Sequence, residues 1–273
     1  MAEDNSARSR AHMPEATRSF VNQRTLKESH RRLVDILNVG NDVLDVGCST
    51  GTITSGIAKM VQNGKVIGMD ENKTFIKEAN KTYAQQRNLS FIAKDIYEID
   101  YLNQFDVVTS ARVLQWLSNP EKALKKMVAA AKVGGSVVVL DYNHEKILWQ
   151  PDPPKSMQHF YQAFLQWRSE VGMDNRIADH LAGQFSKCGL VDVHLSAQHE
   201  VITKDDPEFI QKMDIWAGVA ETRGHQLVQD GYLSEYERGQ AVKDYRAWIT
   251  TSATSMNMYL LAVSGRKISM ERS

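Results

Sequence analysis

Short apolar runs alternate with helical patterns through the middle of the chain. Five runs rich in β-forming residues span positions 42–46, 65–69, 89–93, 105–110 and 136–141. Helical patterns lie between them at 52–61, 73–86 and 119–132, and Gly134 with Gly135 provides the turn into the fifth run. This alternation is typical of repeated βαβ units, so we predict an α/β fold built on a parallel sheet.

The N-terminal segment follows a different pattern. Residues 1–19 are polar and contain Pro14, which predicts a mobile arm of the kind that can become ordered over a bound ligand. Apolar positions at helical spacing predict an amphipathic helix over 18–37, with His30 packed at the edge of the core. Residues 1–32 have a net charge of about +3, which we interpret as a solvated helix face.

Beyond position 141 the alternation stops, and residues 142–175 are rich in aromatic residues and proline. A helix over 177–187 and a strand near 191–201 follow, then a helical segment from about 205 to 254 and a closing strand at 257–264. Apolar stripes in the helical segment are typical of helices packed on one another or of a lid. The predicted units are an N-terminal arm and helix covering the site (1–34), a core (35–202), a helical lid (203–255) and a final strand with tail (256–273).

Charge balance narrows the choice of partners. The chain of 273 residues has 33 Lys and Arg against 33 Asp and Glu, so it lacks the basic excess of proteins that bind mainly to nucleic-acid phosphates. No apolar run approaches the roughly 18 residues that span a bilayer, and no signal-peptide core is visible at the start. We expect a cytoplasmic protein without nucleic-acid or membrane partners, with reduced cysteines and no metal site.

A strand-turn-helix motif gives the strongest chemical signal. The run Val43-Leu44-Asp45-Val46 leads into Gly47-Cys48-Ser49-Thr50-Gly51, and a helical pattern follows. Small residues at 47, 49 and 51 allow a tight turn and let a ligand approach main-chain amides at a helix N-terminus. Asp70 ends the second strand, where a carboxylate can accept hydrogen bonds from a ribose diol.

Two features separate this motif from a dinucleotide site. The dinucleotide fingerprint has a third glycine at the place where this chain has Thr54. Asp45 would repel a pyrophosphate, whereas it suits a ligand with an amino group and a sulfonium charge. A nicotinamide dehydrogenase remains an alternative at the level of the fold.

Taken together, these residues resemble the class I S-adenosylmethionine-dependent methyltransferases. The resemblance covers about residues 35–200 and rests on 43–51, Asp70, 94–96 and 105–120, with Ser49 where many members have glycine. It implies a Rossmann-like, seven-stranded, mostly parallel sheet flanked by helices, with a helical lid inserted between the last two strands.

The resemblance also implies roles for individual residues. Asp45 and Gly47 would line the pocket of the methionine moiety, and Asp70 would hold the ribose hydroxyls. Asp95 would bond the adenine amino group, and Arg112 would lie near the sulfonium and the acceptor. The residues implied for the cofactor S-adenosyl-L-methionine, and its product S-adenosyl-L-homocysteine, are Asp45, Gly47, Cys48, Gly51, Asp70, Glu71, Asp95, Ile96 and Arg112.

Methyl transfer from a sulfonium is a direct displacement, so the main requirement is the alignment of acceptor, methyl carbon and sulfur. His144, Tyr142 and Arg112 are the candidate catalytic residues because they follow predicted strands, with His144 as the base if one is needed. Cationic contacts for a carboxylate acceptor are expected from Arg112, Arg168, Arg223 or His225. The lid segment, together with residues 1–30 and 142–175, is expected to form a largely apolar, aromatic chamber for the acceptor.

The segment Leu114-Gln115-Trp116 is similar to a stretch of the trans-aconitate and malonyl carrier-protein methyltransferases, which methylate carboxylates. We therefore predict methylation of a small or medium-sized organic acceptor, with O-methylation of a carboxylate favoured. The alternatives are N- or C-methylation of a small molecule, methylation of tRNA or protein, and a regulatory protein that binds the cofactor without chemistry. A monomer and a homodimer both remain open.

Overall fold

A computed structural model describes residues 2–12, 22 and 24–269 of the chain. The described residues contain one mixed sheet flanked by helices, which confirms the predicted α/β class and the mostly parallel, Rossmann-like sheet. The strands are β1 (Val43–Val46), β2 (Val66–Asp70), β3 (Leu89–Ala93), β4 (Phe105–Ala111), β5 (Ala131–Gln150), β6 (Leu190–Ala197), β7 (Glu200–Thr203) and β8 (Ser255–Lys267).

Five parallel strands form the half of the sheet that carries the glycine-rich turn. Their order is β3-β2-β1-β4-β5, so the chain changes direction across the sheet between β1 and β4. Asp45 lies in register with Gly68 of β2 and with Thr109 of β4. In open α/β sheets ligands bind at the carboxyl ends of the strands at such a switch point. The sheet therefore brings the turn, Asp70 and Arg112 to one edge.

The C-terminal strands differ in detail from their predicted extents. Strand β8 runs antiparallel between β5 and β6, and its first residues also pair with β7. The single strand predicted near 191–201 is divided into β6 and β7. Strand β5 continues past Asp141 as far as Gln150, because β8 supplies hydrogen-bonding partners for this extension.

The helices of the described residues are α1 (Ala2–Ala11), α2 (Leu26–Ser29), α3 (Arg31–Ile36), α4 (Thr52–Met60), α5 (Lys73–Thr82), α6 (Pro120–Ala130), α7 (Lys155–Ser169), α8 (Ile177–Lys187), α9 (Phe209–Met213), α10 (Ile215–Thr222), α11 (Gly224–Gln229) and α12 (Glu235–Thr251). Local capping defines the starts of two of them. Asn72 accepts hydrogen bonds from the amides of Thr74 and Phe75, and Asn119 accepts one from Lys122. Short 3₁₀ turns follow β3 at Ile96–Glu98 and β4 at Leu114–Trp116.

Helices α9 to α12 lie between β7 and β8 in the chain, as the sequence predicts for the lid. Helix α12 packs on both α7 and α10. Their aromatic side chains form a buried cluster in which Trp216 lies 4.7 Å from Tyr161 and 5.7 Å from Phe164, measured between ring centroids. The apolar stripes of this segment therefore form an internal core between the lid helices and the sheet.

The N-terminal segment differs most from its prediction. Residues 2–11 form helix α1 instead of a mobile arm, and positions 13–21 and 23 lie outside the described residues. The helix predicted over 18–37 is represented by the two short helices α2 and α3. His30 separates them because its backbone (φ −152°, ψ 57°) is not helical and its buried ring bonds to Thr109. Its packed position agrees with the prediction for His30.

None of the helices within the described residues has both the length and the apolar character that crossing a membrane requires.

Candidate active site

The turn after β1 has a left-handed backbone at three alternate positions. The φ angle is 77° at Gly47, 50° at Ser49 and 82° at Gly51, a region that glycine adopts without strain. A side chain at Gly47 would collide with Val113, and one at Gly51 would collide with the ring of Phe91. Gly47 lines the cavity described below, but Gly51 does not. Gly51 therefore shapes the turn without lining the cavity, and its role in binding the cofactor stays a prediction.

The side chain of Asp45 is a buried carboxylate beneath this turn. Its Oδ2 accepts a 2.7 Å hydrogen bond from Thr54 Oγ1, a residue of α4. Burial raises the pKa of Asp45 to about 6, with a further contribution from Asp70, while the Thr54 bond acts in the opposite direction. An ammonium group brought beside Asp45 would favour its ionised form, so the residue suits the amino group of an amino acid.

Asp70 is fixed by two backbone amides. Ser49 N donates to its Oδ2 and Asn72 N donates to its Oδ1, both at 2.9 Å. Each carboxylate oxygen has a second lone pair, so the side chain retains the capacity to accept two hydroxyl donors. Burial raises the pKa of Asp70. This geometry agrees with the ribose-binding role that the resemblance implies.

Cys48 and Ser49 complete the floor of the turn. Burial, followed by the charges of Asp45 and Asp70, holds the pKa of the Cys48 thiol well above its usual range, so the residue lines the cavity as a neutral thiol. Ser49 Oγ is buried on the same wall and has no hydrogen-bond partner among the described residues. A buried hydroxyl without a partner is costly, which indicates that a polar ligand atom completes this site.

Asp95 and Ile96 follow β3 at the opposite end of the cavity. Asp95 caps the 3₁₀ turn, since its Oδ1 accepts a 2.7 Å hydrogen bond from Tyr97 N. Its Oδ2 forms an ion pair with Arg8 of α1, and Arg8 also lies 3.7 Å from Glu71. Asp95, Ile96 and Glu71 all line the cavity, as predicted for cofactor residues. Arg8 is an addition that the sequence motif did not indicate.

Arg112 has an unusual backbone and a fully engaged side chain. Its φ angle is 62°, which turns the chain away from β4. Its Nε donates to Tyr142 Oη at 3.0 Å, its Nη1 donates to the carbonyl of Ser29 at 3.2 Å, and its Nη2 forms an ion pair with Glu200. Although burial acts to lower the pKa of Arg112, Tyr142 and Glu200 outweigh it and the pKa is raised. Glu200 belongs to β7, and no local sequence pattern indicates its role.

Neither of the other two predicted catalytic residues lies on the cavity wall. Tyr142 accepts from Arg112 and donates to Glu200 Oε2 at 3.1 Å, and burial raises its pKa. His144 Nε2 lies 2.6 Å from Gln115 Oε1, and its ring is enclosed by Tyr142, Phe164 and Trp216. Burial, followed by the charge of Arg168, holds the pKa of His144 well below its usual range. His144 is thus a neutral, packed side chain in this structure.

The predicted cationic contacts are also engaged elsewhere. Arg168 is buried, bonds to Asn175 and to the carbonyl of Gln115, and does not line the cavity. His225 lies beside Glu235 on the surface. Arg223 does line the cavity, but its guanidinium donates to the carbonyls of residues 10, 11 and 12 and stacks 3.9 Å from the ring of Trp116.

The cavity encloses about 1370 Å³ of space, a volume that includes its open mouth. Of the segments predicted to form the chamber, residues 1–30 contribute to the wall, whereas the lid aromatics pack on one another. Within the described residues, Arg223 alone represents the lid on the wall. The aromatic side chains that line the cavity, Phe75, Tyr97 and Trp116, belong to the predicted core unit of residues 35–202. The lining residues that the motif did not single out include Ala7, Arg8, Ala11, His12, Arg24, Ile53, Phe75, Tyr97, Val113, Trp116 and Leu117.

A family model described as a methyltransferase domain matches residues 37–203. The chain belongs to this family. Members use S-adenosylmethionine, and the three carboxylates and the hydroxyl of Ser49 described above fit that cofactor. Asp45 and Gly47 would hold its methionine part, Asp70 its ribose and Asp95 its adenine.

Individual relatives cover only part of the chain. An uncharacterized methyltransferase of Schizosaccharomyces pombe is 35% identical over 104 residues, which is 35% of this chain and 37% of the relative. A malonyl-[acyl-carrier protein] O-methyltransferase of Haemophilus ducreyi is 23% identical over 183 residues, or 61% of this chain and 63% of the relative. The chain thus spans less than two thirds of the length of these proteins.

A solved structure shares the fold. The phosphoethanolamine N-methyltransferase 2 of Haemonchus contortus, in complex with phosphomonomethylethanolamine and S-adenosylhomocysteine, superposes with a TM-score of 0.56 at 15% identity. The superposition covers 88% of this chain and 53% of that one.

Proposed function

We propose that the protein transfers the methyl group of S-adenosylmethionine to a carboxylate of a small or medium-sized organic acceptor. The observation that carries the proposal is one cavity that combines the carboxylates Asp45, Asp70 and Asp95 with further space bounded by Val113, Trp116 and Leu117. When bound, the cofactor supplies an electrophilic methyl group on a sulfonium. The protein's own contribution is then to hold the acceptor oxygen in line with it.

The chemistry of the wall supports a carboxylate as the acceptor. Carboxylates are ionised at neutral pH and need no base before they attack. His144 and Tyr142, the two residues that the sequence offers as bases, are enclosed behind the wall and hydrogen-bonded to other side chains. A reaction that requires only positioning is compatible with this arrangement.

Two further observations support a carboxylate as the methyl acceptor. The short segment Leu114–Trp116 resembles a stretch of carboxylate methyltransferases, and it forms a 3₁₀ turn at the cavity with Trp116 on the wall. The relative from Haemophilus ducreyi is named as an O-methyltransferase of a malonyl carrier protein. At 23% identity it supports the class of acceptor and does not identify the molecule.

A second candidate function follows from His12. Among the described residues it is the imidazole that lines the cavity, and it follows directly after α1. A histidine there is suited to accept a proton from a hydroxyl or amine acceptor. Methylation of a neutral hydroxyl or amine is therefore the alternative.

The stability of the product to alkali distinguishes these candidates. The protein is incubated with S-adenosylmethionine carrying a tritiated methyl group and a metabolite extract, and the products are treated with mild alkali. A methyl ester is hydrolysed and releases volatile labelled methanol, whereas an N-methyl or ether product keeps its label. Volatile label is expected; label that is transferred and stays non-volatile would contradict carboxylate methylation.

Two variants serve as controls for this assay. Asp70→Ala removes a cofactor contact and is expected to abolish transfer, whereas Asp152→Ala alters an exposed carboxylate and is expected to leave it unchanged. If neither the wild-type protein nor Asp152→Ala transfers label although both bind S-adenosylhomocysteine, the proposed activity is wrong.

A further inference from the structure

A second arginine faces the cavity beside Arg112. Arg24 lines the cavity and is partly buried. Burial and the neighbouring charge of Arg112 lower the pKa of Arg24, while the charge of Glu200 acts in the opposite direction, so Arg24 lies near this hydrogen-bonded group. Among the described residues the guanidinium of Arg24 has neither a hydrogen-bond nor an ion-pair partner. It differs in this respect from Arg112 and from Arg223.

The charges in this corner of the cavity do not balance. Arg112 and Glu200 form an ion pair that Tyr142 extends by hydrogen bonds to both. This pair is neutral overall, and the charge of Glu200 acts on Arg24 as well as on Arg112, so two guanidinium groups lie near one carboxylate. Arg24 therefore adds one uncompensated positive charge. A partly buried guanidinium without a partner is unfavourable, whereas a bound carboxylate would accept two parallel N–H bonds from it.

We propose that Arg24 binds the carboxylate of the methyl acceptor. The identity of the bound anion as acceptor rests on the proposed function, but the presence of an anion site at Arg24 does not. Three of the four cations named from the sequence, Arg112, Arg168 and Arg223, are already hydrogen-bonded to protein groups. Arg24 is the guanidinium on the described wall that remains available.

The cofactor has a carboxylate of its own, in its methionine part, and this is the competing occupant. The location of Arg24 argues against it. The methionine part is assigned to Asp45 and Gly47, whereas the neighbouring charges that act on Arg24 are those of Arg112 and Glu200. Arg112 follows β4, its partner Tyr142 lies in β5 and Glu200 lies in β7, on the far side of Asp45 from Asp70 and Asp95 in the strand order.

Binding measurements distinguish the carboxylate of the acceptor from the carboxylate of the cofactor as the group that Arg24 binds. Calorimetry is carried out on protein saturated with S-adenosylhomocysteine, using acetate, phenylacetate and octanoate, each compared with its uncharged amide. The variant is Arg24→Met, which keeps the length of the side chain and removes its charge. Arg31→Met is the matched control, because Arg31 is exposed on the neighbouring helix α3. Affinity for 5′-methylthioadenosine and thermal unfolding confirm that each variant is folded.

We expect at least one of these acids to bind the wild-type protein more tightly than its amide. Arg24→Met should lower the affinity for that acid by about tenfold to a hundredfold, as expected for the loss of a charge-assisted contact. It should leave the affinity for the amide unchanged. Arg31→Met should change neither. The proposal is wrong if no acid binds better than its amide, or if Arg24→Met leaves the preference intact.

A different result would assign Arg24 to the cofactor. In that case Arg24→Met lowers the affinity for S-adenosylhomocysteine but not for 5′-methylthioadenosine, which lacks the amino-acid part. This result overturns the proposal. Failure of the proposed function shows up separately, because acids can depend on Arg24 for binding in a protein that forms no methyl ester.

Discussion

Thr54 donates a 2.7 Å hydrogen bond to the buried carboxylate of Asp45. Thr54 stands where a dinucleotide-binding turn has its third glycine, so the replacement has a specific consequence. It gives Asp45 a donor that keeps the pKa from rising further than about 6 despite burial. At neutral pH the carboxylate is then mainly ionised and able to pair with an amino group.

Replacing Thr54 with Val should therefore weaken binding of S-adenosylhomocysteine in a pH-dependent way. Loss of the hydrogen bond raises the pKa of Asp45 further, so less of the carboxylate is ionised at pH 7. We expect about a twofold to tenfold loss of affinity at pH 7 and a smaller loss at pH 8.5, where ionisation is restored. Calorimetry across this range measures both. Ser55→Ala, a buried hydroxyl on the same helix, is the control, and an equal loss at both pH values would contradict the explanation.

Gly47→Ala should be more damaging than its left-handed backbone alone explains. At Gly47 (φ 77°) a side chain also collides with Val113, whereas at Gly134 (φ 83°) a side chain meets nothing within 4 Å. Gly134→Ala is thus expected to cost about 1 kcal/mol of unfolding free energy from backbone strain. Gly47→Ala should cost about 1–3 kcal/mol more and also reduce cofactor affinity. Denaturant unfolding compares them, and equal losses would rule out the collision.

Much of the fold and of the cofactor site could be predicted from sequence because the signals are local. Asp45 lies one residue before the end of a β-type run, Asp70 ends the next and Asp95 follows the third, and the sheet brings such positions to one edge. The helix bounds were also close where caps such as Asn119 mark them. Short-range pattern was sufficient in these places because the backbone itself positions the side chains.

The features of the fold and of the site that the sequence does not predict depend on contacts between distant segments of the chain. Helix α1 has no apolar stripe, and its contacts come from residues far along the chain, such as Arg223 and Asp95. The excess of positive charge near the N-terminus was interpreted as solvated, yet Arg8 and Arg24 line the cavity. His144 follows the predicted strand 136–141, as expected of a ligand-binding residue, but in the structure it lies within β5 and the packing of α7 and α10 encloses it. No local pattern indicates that packing.

Arg223→Met should release the N-terminal helix from the lid. The guanidinium of Arg223 donates to three consecutive carbonyls at the end of α1, where helical carbonyls lack partners. Loss of these bonds should speed amide hydrogen exchange in residues 6–12 by about tenfold or more. Arg246→Met is the control, since Arg246 joins α12 to α10 through Asp214 and Glu221 without touching α1. Equal exchange in both variants would show that α1 is held by other contacts.

Asp141 should make the stability of the protein decrease as the pH rises. Burial raises its pKa to about 7, although the amides of Gln115 and Tyr142 and the nearby arginines act against this. Because its pKa in the unfolded chain is near 3.8, the folded state holds the extra proton between these values, and ionisation above them is unfavourable.

The test of this linkage is Asp141→Asn. Relative to the wild type, the free energy of unfolding of the variant should increase by up to about 4 kcal/mol between pH 4 and pH 8. Asp45 also titrates in this range but is common to both proteins, so it cancels in the difference. A difference that stays constant with pH would contradict the raised pKa.

The ion pair of Arg8 with Asp95 gives cofactor binding an unusual response to ionic strength. A ligand whose adenine amino group binds Asp95 has to displace the Arg8 guanidinium from that carboxylate. The amino group that replaces it is a neutral hydrogen-bond donor. Added salt weakens the exposed Arg8 pair, so S-adenosylhomocysteine should bind about twofold to fivefold more tightly in 0.5 M than in 0.05 M sodium chloride. Calorimetry on Arg8→Gln should show tighter binding at low salt and little dependence on salt. The N-terminal helix thereby makes the cofactor site sensitive to the electrolyte around it, although the cofactor product itself has no net charge.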